Sequence, residues 1–504
     1  MNERLASIVV GPDGSIRDAM EVINRGGVEI ALVVDERRNL LGTISDGDVR
    51  RALLSGADLD DAARPLANPH PYVVSYSSSR SEVLEVMRQT GHTQLPVLDE
   101  DGRLVGLHVM HELLGAPGRV SITTQVPLAV PHLGGNEARY LQECIETNFV
   151  SSVGPFVDRF ETEFASAIGA RHAVACSSGT AALHVALELL GVRHGSLVAV
   201  STFSFIASAN AITYAGGDPL FVDSEPRTWN MDAELLHSEL RQRAASGRPL
   251  PVAIEIVHVL GQPADIEPLL AIRDELGILI VEDAAEALGA TYIGGPLDGR
   301  HVGTIGDIGC FSFNGNKVIT SGGGGMIVTN DDDLAARAKH LTTQAKLPGT
   351  GYHHDAVGYN YRLGNVAAAL GLAQLEQLDL FLGAKRRIAA AYDRALAPFP
   401  VELPPRTSWA SSTYWLYSML MRDDGLPADV VVRALIAEGI QARPLWPPLH
   451  MQLPYQGADA IGGDVAEQIY RRGVSLPSSV GLTDDDQHAV VAVLERLFRA
   501  ASRA

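Results

Sequence analysis

The chain has few cysteines, a deficit of positive charge and no long apolar run, and each shortage excludes a class of protein. Its three cysteines, Cys144, Cys176 and Cys310, are an odd number without framework spacing, which favours a reducing compartment. The 40 basic and 60 acidic residues give a formal net charge of −20, which is unfavourable for binding nucleic acid. No apolar run is long enough to span a membrane, and the start Met-Asn-Glu-Arg lacks a signal pattern, so we expect a cytoplasmic protein.

The N-terminal part of the chain contains an internal repeat. The segment from Ala31 to Gly42 matches the segment from Leu95 to Gly106, which places Asp35 and Asp99 at equivalent positions. Each unit has the pattern helix, strand, tight turn, strand, helix, and two such units can bury a shared sheet face. We therefore predict a separate module of residues 1–116.

The rest of the chain predicts further domains, because 504 residues are too many for one hydrophobic core. Proline and glycine followed by polar residues predict a linker over residues 117–128. Strands and helices then alternate, which predicts an α/β large domain with a mostly parallel, doubly wound sheet over residues 129–380. A long helix over Leu380–Leu396 leads into a smaller C-terminal α/β domain of residues 381–504.

Lys317 follows an apolar and small polar run and precedes the glycine cluster Gly322–Gly325. This placement predicts an amine at the junction of a strand and a loop, half removed from water. An apolar pocket lowers the pKa of an ammonium group and frees the lone pair that imine formation with an aldehyde cofactor requires. Taken alone, the pattern is more typical of a surface lysine in a glycine-rich turn.

Asp283 lies at the end of a run of four apolar residues followed by two acids. Such a run predicts a buried parallel strand whose C-terminal end presents a carboxylate, which is where open α/β sheets bind ligands. A buried carboxylate needs a cation, and the protonated ring nitrogen of pyridoxal phosphate is one. The alternative interpretation is an aspartate that caps a helix.

A third segment predicts a strand over His172–Ala175, then a turn of small residues over Cys176–Thr180 that leads into a helix. Backbone amides at a helix N-terminus bind phosphate, and Gly179 lets the backbone approach it closely. Ser312 could supply a hydroxyl to the same phosphate. Phe205 could stack on a cofactor ring, although an aromatic residue in such a run is more often part of the core.

In this order, the segments resemble the DegT-type nucleotide-sugar aminotransferases, a pyridoxal-phosphate family with the aspartate-aminotransferase type I fold. The resemblance extends from about Val126 to the C-terminus. It is carried by Gly154–Glu161, Gly179–Leu183, Glu282–Glu286, Phe311–Lys317 and Gly358–Arg362.

The resemblance implies that Lys317 is the lysine that binds the cofactor covalently and that Asp283 is the partner of its ring nitrogen. It implies phosphate and cofactor contacts from Ser178, Gly179, Thr180, Phe205 and Ser312. Asn360 would reach the phosphate in the neighbouring subunit, which implies a homodimer with shared active sites.

Glu286 departs from the family pattern, since many members carry Gln or His at this position near the phenolic oxygen of the cofactor. Glu286 would have to donate a hydrogen bond in its protonated form or lie slightly aside. Lys317 separates the chain from relatives that dehydrate sugars, because those have histidine in place of this lysine.

Four further segments are similar to aminotransferases of the legionaminic-acid and bacillosamine pathways: Thr147–Pro155, Lys339–Lys346, Ser411–Tyr417 and Gly439–His450. This likeness implies transfer of an amino group from glutamate to C4 of a nucleotide-linked 4-keto-6-deoxy-N-acetylhexosamine, with UDP and GDP both open. Because the chain is acidic and such a substrate is anionic, the site needs local cations. Lys346, Arg362 and Arg443 are the candidates by position.

The N-terminal repeat resembles a tandem cystathionine-β-synthase-type (CBS) module. The resemblance implies that Ser45 and Asp48 contact the ribose of an adenine nucleotide. The second repeat has Val109 and Glu112 at the equivalent positions, and the lost hydroxyl weakens the case for a second site. A purely structural dimerisation unit remains the alternative.

Two rival classes of function remain. A non-catalytic sensor with the same fold predicts the loss of Lys317 or Asp283, and both are present. A pyridoxal enzyme of other chemistry, such as a decarboxylase or a 3-keto-sugar aminotransferase, is the second. The sequence predicts pyridoxal phosphate as the cofactor and no metal site.

Overall fold

The structure of the protein is a computed structural model. It describes Leu5, Ser78 and residues 8–26, 30–76, 80–99, 101–109, 126–349 and 351–501. Contacts divide the chain into two compact units, Met1–Ile122 and Thr123–Ala504. Glu112 and most of the linker predicted over residues 117–128 lie outside the described residues.

The N-terminal unit contains the predicted repeat as two three-stranded sheets, in each of which one strand pair is parallel and the other antiparallel. The strands are Val9–Val10, Ile30–Val34 and Leu40–Ser45 in the first sheet and Val74–Ser75, Gln94–Leu98 and Leu104–Val109 in the second. The helices described in this unit are Ile16–Gly26, Asp46–Leu54 and Arg80–Thr90.

The two repeats have the same hydrogen bond at equivalent turns. The carboxylates of Asp35 and Asp99 each accept the backbone N–H of the residue four positions later, at 2.7 Å and 2.8 Å. Each aspartate therefore closes the turn between two paired strands, which explains why it recurs in the sequence. Leu32 and Leu104, from different repeats, belong to one buried cluster, so the repeats share a core.

The C-terminal unit is built on an eight-stranded sheet. In spatial order the strands are Ala460–Ile461, Asp218–Val222, Leu197–Ser201, Ala253–Val257, Leu279–Asp283, Ile308–Ser312, Gly325–Thr329 and His172–Cys176. Of these eight, Gly325–Thr329 runs in the direction opposite to the other seven. The predicted mostly parallel sheet is therefore confirmed, and its central strands are apolar because helices cover both faces.

The helices on or beside this sheet are Glu137–Glu146, Pro155–Ile168, Gly179–Leu189, Ala207–Tyr214, Ala233–Ser246, Glu267–Leu276, Asp332–Thr342 and Asn365–Leu375. Gly179–Leu189 is buried along almost its whole length. Since an apolar helix of this kind is covered on all sides, even Gly179, its first residue, is buried.

The last part of the chain forms a smaller antiparallel sheet with its own helices. The strands, in spatial order, are Val401–Glu402, Tyr417–Met421, Gly473–Leu476 and Arg443–Pro444. The helices are Leu378–Leu396, Ala428–Ala437, Asp464–Arg472 and Asp484–Ala501, so the long helix predicted over Leu380–Leu396 is confirmed. The strands Thr291–Tyr292 and Ala410–Ser411 pair with each other in a separate ribbon.

An aromatic cluster holds the strand that leads towards Lys317. Phe164, from the helix Pro155–Ile168, has its ring centroid 5.1 Å from that of Phe311 and 5.4 Å from that of Phe313. All three rings are fully buried. Packing of this density fixes the end of the strand Ile308–Ser312, and with it the start of the loop that carries the lysine.

Among the described residues, no single helix combines the length and apolarity needed to cross a membrane. The helices Asn365–Leu375 and Leu378–Leu396 meet these criteria together, as a pair bent by 60° at their junction.

Candidate active site

A cavity of about 380 Å³ lies at the C-terminal ends of the parallel strands. This is the edge at which open α/β sheets bind ligands. The predicted residues that line it are Ser178, Gly179, Thr180, Phe205, Asp283, Glu286, Ser312, Lys317 and Arg443. These residues come from separate parts of the chain, so the fold brings the predicted constellation together.

Lys317 lies in the loop after the strand Ile308–Ser312, as the sequence predicts. Its side chain is 12% exposed. The ammonium nitrogen Nζ lies 3.4 Å from Glu286 Oε1 and 4.0 Å from the ring centroid of Trp415. A carboxylate and an aromatic face both stabilise a cation at this position, which compensates for the water that the amine has lost.

Asp283 is the last residue of the strand Leu279–Asp283 and is buried. Ser208 Oγ donates to Asp283 Oδ2 at 2.9 Å, and the backbone N–H of Ala285 donates to Oδ1 at 3.1 Å. Burial raises the pKa of Asp283, and the two hydrogen bonds and the charge of Lys317 oppose that rise. The sequence did not point to Ser208, because a small polar residue within a helix carries no signal of its distant partner.

The neighbouring Glu282 anchors the strand from its other face. It accepts the backbone N–H groups of Gly303, Ile305 and Gly306 and a hydrogen bond with Nε2 of the fully buried His258 at 3.0 Å. Burial acts to raise the pKa of Glu282, but His258 and the backbone N–H groups outweigh it and hold that pKa below its usual value. A carboxylate bound on so many sides fixes the position of Asp283 beside it.

Glu286 is buried and accepts the backbone N–H of Leu260 at 2.8 Å on the oxygen that does not face Lys317. Burial raises the pKa of Glu286, and the charge of Lys317 and the N–H of Leu260 oppose it. Leu260 has φ of 55°, a conformation that a leucine rarely adopts. The strained backbone at Leu260 therefore directs its N–H at Glu286.

The helix Gly179–Leu189 begins at the cavity, and Ser178 is its N-cap. Ser178 Oγ accepts the N–H of Ala181 at 3.0 Å, so this side chain already stabilises the helix. A Cβ atom on Gly179 would lie 2.8 Å from Cβ of Ser312, so this position has no room for a side chain. The N-terminal backbone and the hydroxyl of Ser312 therefore lie together, as an anion site at a helix N-terminus requires.

Two indole rings that the sequence did not assign also line the cavity. Trp415 and Trp446 are nearly parallel, with centroids 6.1 Å apart, and Phe205 lies 6.3 Å from Trp446. Trp415 Nε1 donates to the backbone carbonyl of Asn316 at 2.6 Å, which fixes its ring beside the lysine loop. Both tryptophans lie after the start of the small C-terminal domain, far along the chain from the lysine loop. The sequence alone therefore did not predict that they line the cavity.

Three of the predicted residues do not line this cavity: Lys346, Asn360 and Arg362. The Nζ of Lys346 lies 4.7 Å from the ring centroid of Tyr352, and Asn360 is exposed. Nε of Arg362 is buried without a hydrogen-bond partner among the described residues. Their assignments to substrate or to a neighbouring subunit therefore stay predictions, and Arg443 is the candidate cation that lies at the cavity.

In the N-terminal unit, Ser45 and Asp48 form a capping box at the start of the helix Asp46–Leu54. Ser45 Oγ donates to Asp48 Oδ2 at 2.6 Å. Burial acts to raise the pKa of Asp48, but hydrogen bonds from Ser45 and Arg51 outweigh it and hold that pKa low. Both side chains thus have a structural role, and their contact with a nucleotide stays a prediction.

The groups around the cavity fit pyridoxal phosphate. Lys317 supplies an amine for its aldehyde, and Asp283 supplies a buried carboxylate for its ring nitrogen. The helix N-terminus at Gly179, with Ser312 beside it, supplies donors for its phosphate. Three types of group that pyridoxal phosphate needs are thus present in one enclosed site.

Comparison with known families agrees with this geometry. Residues 131–495 match the model of the DegT/DnrJ/EryC1/StrS aminotransferase family. Residues 3–55 and 63–114 match the model of the CBS domain. The two matches fall on the two compact units of the chain.

Individual relatives cover most of the C-terminal unit. The chain is 40% identical over 381 residues, 74% of this chain and 96% of the relative, to a Bacillus subtilis protein named as the pyridoxal phosphate-dependent aminotransferase EpsN. It is 41% identical over 378 residues, 74% of this chain and 98% of the relative, to a GDP-perosamine synthase of Caulobacter vibrioides. The solved aminotransferase TlmJ of Streptoalloteichus hindustanus aligns with a TM-score of 0.69 at 29% identity, over 75% of this chain and 100% of that one.

Gly179→Ala tests the close approach at the helix N-terminus. The added methyl group meets Cβ of Ser312, so the backbone must shift. We expect at least a roughly tenfold loss of affinity for pyridoxal phosphate, equivalent to about 1.4 kcal/mol, measured by absorbance titration of the cofactor-free protein. Gly315→Ala is the matched control, because its added methyl group meets nothing within 4 Å. Equal affinities for the two variants would contradict the assignment.

Proposed function

Because the chain belongs to the DegT/DnrJ/EryC1/StrS aminotransferase family, we propose that it transfers an amino group from glutamate to C4 of a nucleotide-linked 4-keto-6-deoxy-N-acetylhexosamine. The protein is a pyridoxal-phosphate-dependent sugar aminotransferase with an N-terminal CBS module. The observation that carries the proposal is the single cavity that contains Lys317, Asp283 and the cationic Arg443.

Each group around the cavity has a task in this reaction. Lys317 would hold the cofactor through Nζ, Asp283 its ring nitrogen, and Gly179, Thr180 and Ser312 its phosphate. When bound, pyridoxal phosphate supplies a cationic ring that withdraws electrons from the carbon next to the reacting nitrogen. Asp283 keeps that ring nitrogen protonated, and its burial strengthens the interaction.

Lys317 also moves the protons. Once an amino donor has displaced it, Nζ would be a free base that takes a proton from the α-carbon of glutamate and passes it to the bound cofactor. In the second half of the reaction the same atom would take that proton back from the cofactor and deliver it to C4 of the sugar. Glu286 and the ring of Trp415 lie within 4.0 Å of Nζ, and these contacts hold the amine in the cavity.

Arg443 supports a nucleotide-linked substrate. Apart from Lys317, it is the one cation among the described residues that line the cavity. In a protein with a net charge of −20, an anionic diphosphate needs such a local cation. The aromatic rings of Phe205, Trp415 and Trp446 give the same cavity apolar faces that suit the pyranose and the cofactor.

We infer from the sequence which sugar the substrate contains and which carbon carries its keto group. Likeness to legionaminic-acid and bacillosamine enzymes supports a 4-keto-6-deoxy-N-acetyl sugar. The similarity to a GDP-perosamine synthase makes a GDP-linked keto sugar the first alternative to compare with a UDP-linked one. Both nucleotides remain within the proposal.

Asp283→Asn tests the role of the buried carboxylate. Asparagine has the same shape but no charge to hold a protonated ring nitrogen, so we expect bound cofactor but transfer slowed by about a hundredfold or more. Absorbance of the bound cofactor and release of 2-oxoglutarate measure the two effects. Asp423→Asn is the control, since the Asp423 side chain is 91% exposed. Transfer by Asp283→Asn within about twofold of the unchanged protein would rule out this role.

The substrate is tested by supplying glutamate with UDP- and GDP-linked 4-keto-6-deoxy sugars, with and without the N-acetyl group, and with their 3-keto analogues. We expect 2-oxoglutarate release with kcat/KM at least roughly tenfold higher for one 4-keto-N-acetyl sugar than for its 3-keto analogue, because the amine must face the carbonyl carbon. Equal kcat/KM values for 3-keto and 4-keto sugars would contradict the C4 assignment. Faster transfer to the sugar without the N-acetyl group would contradict the proposal that the substrate carries an N-acetyl group.

For the CBS module we propose a regulatory adenine-nucleotide site at Ser45 and Asp48. The support is the likeness of this segment to nucleotide-binding CBS modules, together with the match of both repeats to the CBS domain.

Titration calorimetry of the full chain with AMP, ADP and ATP tests this site. We expect one nucleotide to bind and Asp48→Asn to weaken it by about tenfold, since one charge-assisted contact is lost. Asp101→Asn is the control in the second repeat, where the Asp101 side chain is 69% exposed. Absence of binding heat with all three nucleotides at millimolar concentration would leave the module a structural unit.

A further inference from the structure

Glu255 is a fully buried acid in the middle of the strand Ala253–Val257. Its partners across the neighbouring strands are the apolar residues Val200 and Val281. Neither carboxyl oxygen has a partner in hydrogen-bond geometry among the described residues. A carboxylate without water, cation or donor is very costly, so an acid in this position is neutral.

The surroundings of Glu255 connect it to the active site. Side chains two positions apart in a strand share one face, so Glu255, aligned with Val281, lies on the same face as Asp283. Ser208, on the helix Ala207–Tyr214, is buried against this face. Among the described residues, the titratable groups with a recorded electrostatic interaction with Glu255 are Asp283, Cys310 and Tyr455, and none of these three is a cation.

Electrostatics favour the neutral acid as well. Burial raises the pKa of Glu255 well above its usual range, the charge of Asp283 raises it further, and the Ser208 hydroxyl opposes the rise. Ser208 donates to Asp283, and Glu255 lies on the same face of the sheet as Asp283, so the hydroxyl and both acids belong to one buried polar group.

The hydroxyl of Ser208 can satisfy both neighbours at once. A serine hydroxyl has one hydrogen and two lone pairs. Its hydrogen goes to Asp283 Oδ2 at 2.9 Å, and Ser204 Oγ lies 2.8 Å away and can donate to it. One lone pair is left for a second donor. A protonated Glu255 is such a donor, whereas an ionised Glu255 would compete with Asp283 for the hydrogen.

We propose that Glu255 is a positioning residue: it stays protonated, donates to Ser208 and so keeps the Ser208 hydrogen on Asp283. This inference rests on the proposed function, in which Asp283 holds the cofactor ring nitrogen. A neutral donor behind Ser208 orients Asp283 without placing a second negative charge next to it. Glu255 touches neither cofactor nor substrate and acts through two other side chains.

Infrared spectroscopy of the cofactor-loaded, full-length protein tests the protonation directly. The difference spectrum between the unchanged protein and Glu255→Gln is expected to contain the carbonyl stretch of a protonated carboxylic acid. A carboxylate band in its place would overturn the proposal. This measurement does not depend on enzyme activity.

Two substitutions then separate positioning from packing. Glu255→Leu removes the donor but fills the site with apolar atoms, so we expect turnover to fall about tenfold while the thermal midpoint stays or rises. Glu255→Gln restores turnover to within about twofold, because its amide can donate to Ser208. Ser208→Ala lowers turnover by a similar factor, and combining it with Glu255→Leu adds no further loss, as expected for residues that act in series.

Equal turnover of the Leu and Gln variants would overturn the positioning role. A loss of turnover in the Leu variant that parallels a loss of thermal stability would overturn it as well. If the infrared band were present but Asp283→Asn transferred amino groups at the normal rate, the assignment of Asp283 would be wrong instead. The two failures are therefore distinguishable.

Discussion

The structure depends on the placement of one amine among buried carboxyl groups. Lys317 Nζ lies 3.4 Å from Glu286, and its charge acts on both Glu286 and Asp283. Burial raises the pKa of each of these two acids, and the lysine lowers both. The lysine therefore makes a negative charge on either acid tolerable, whereas the charge of Asp283 disfavours a second charge on Glu286.

The fold supports this arrangement from several directions. The aromatic cluster around Phe164 fixes the strand before the lysine loop, and Glu282 with His258 fixes the strand that ends at Asp283. Trp415 reaches the same loop from the small C-terminal domain through its bond to Asn316. Packed elements of the fold thus hold Lys317, Asp283 and Trp415 in place. Catalysis needs this, because small displacements of a base cost large factors in rate.

Much of the site could be predicted from the sequence because its residues lie at the ends of strands. An apolar run that ends in acids fixes where Asp283 lies, and a strand followed by small residues and a helix fixes where Gly179 lies. Ser208, Trp415 and Trp446 could not be found in this way, since their contacts join segments far apart in the chain. Glu255 had no sequence signal beyond an acid in an apolar strand, and only the sheet register places it beside Asp283.

The account as a whole depends on Lys317 holding the cofactor covalently. The most direct test is to reduce the cofactor-loaded protein with borohydride, digest it and locate the modified residue by mass spectrometry. We predict a stable pyridoxyl-phosphate adduct on Nζ of Lys317 in the peptide that contains Asn316. Recovery of that peptide unmodified, or an adduct on Lys339 or Lys346 in its place, would contradict the account.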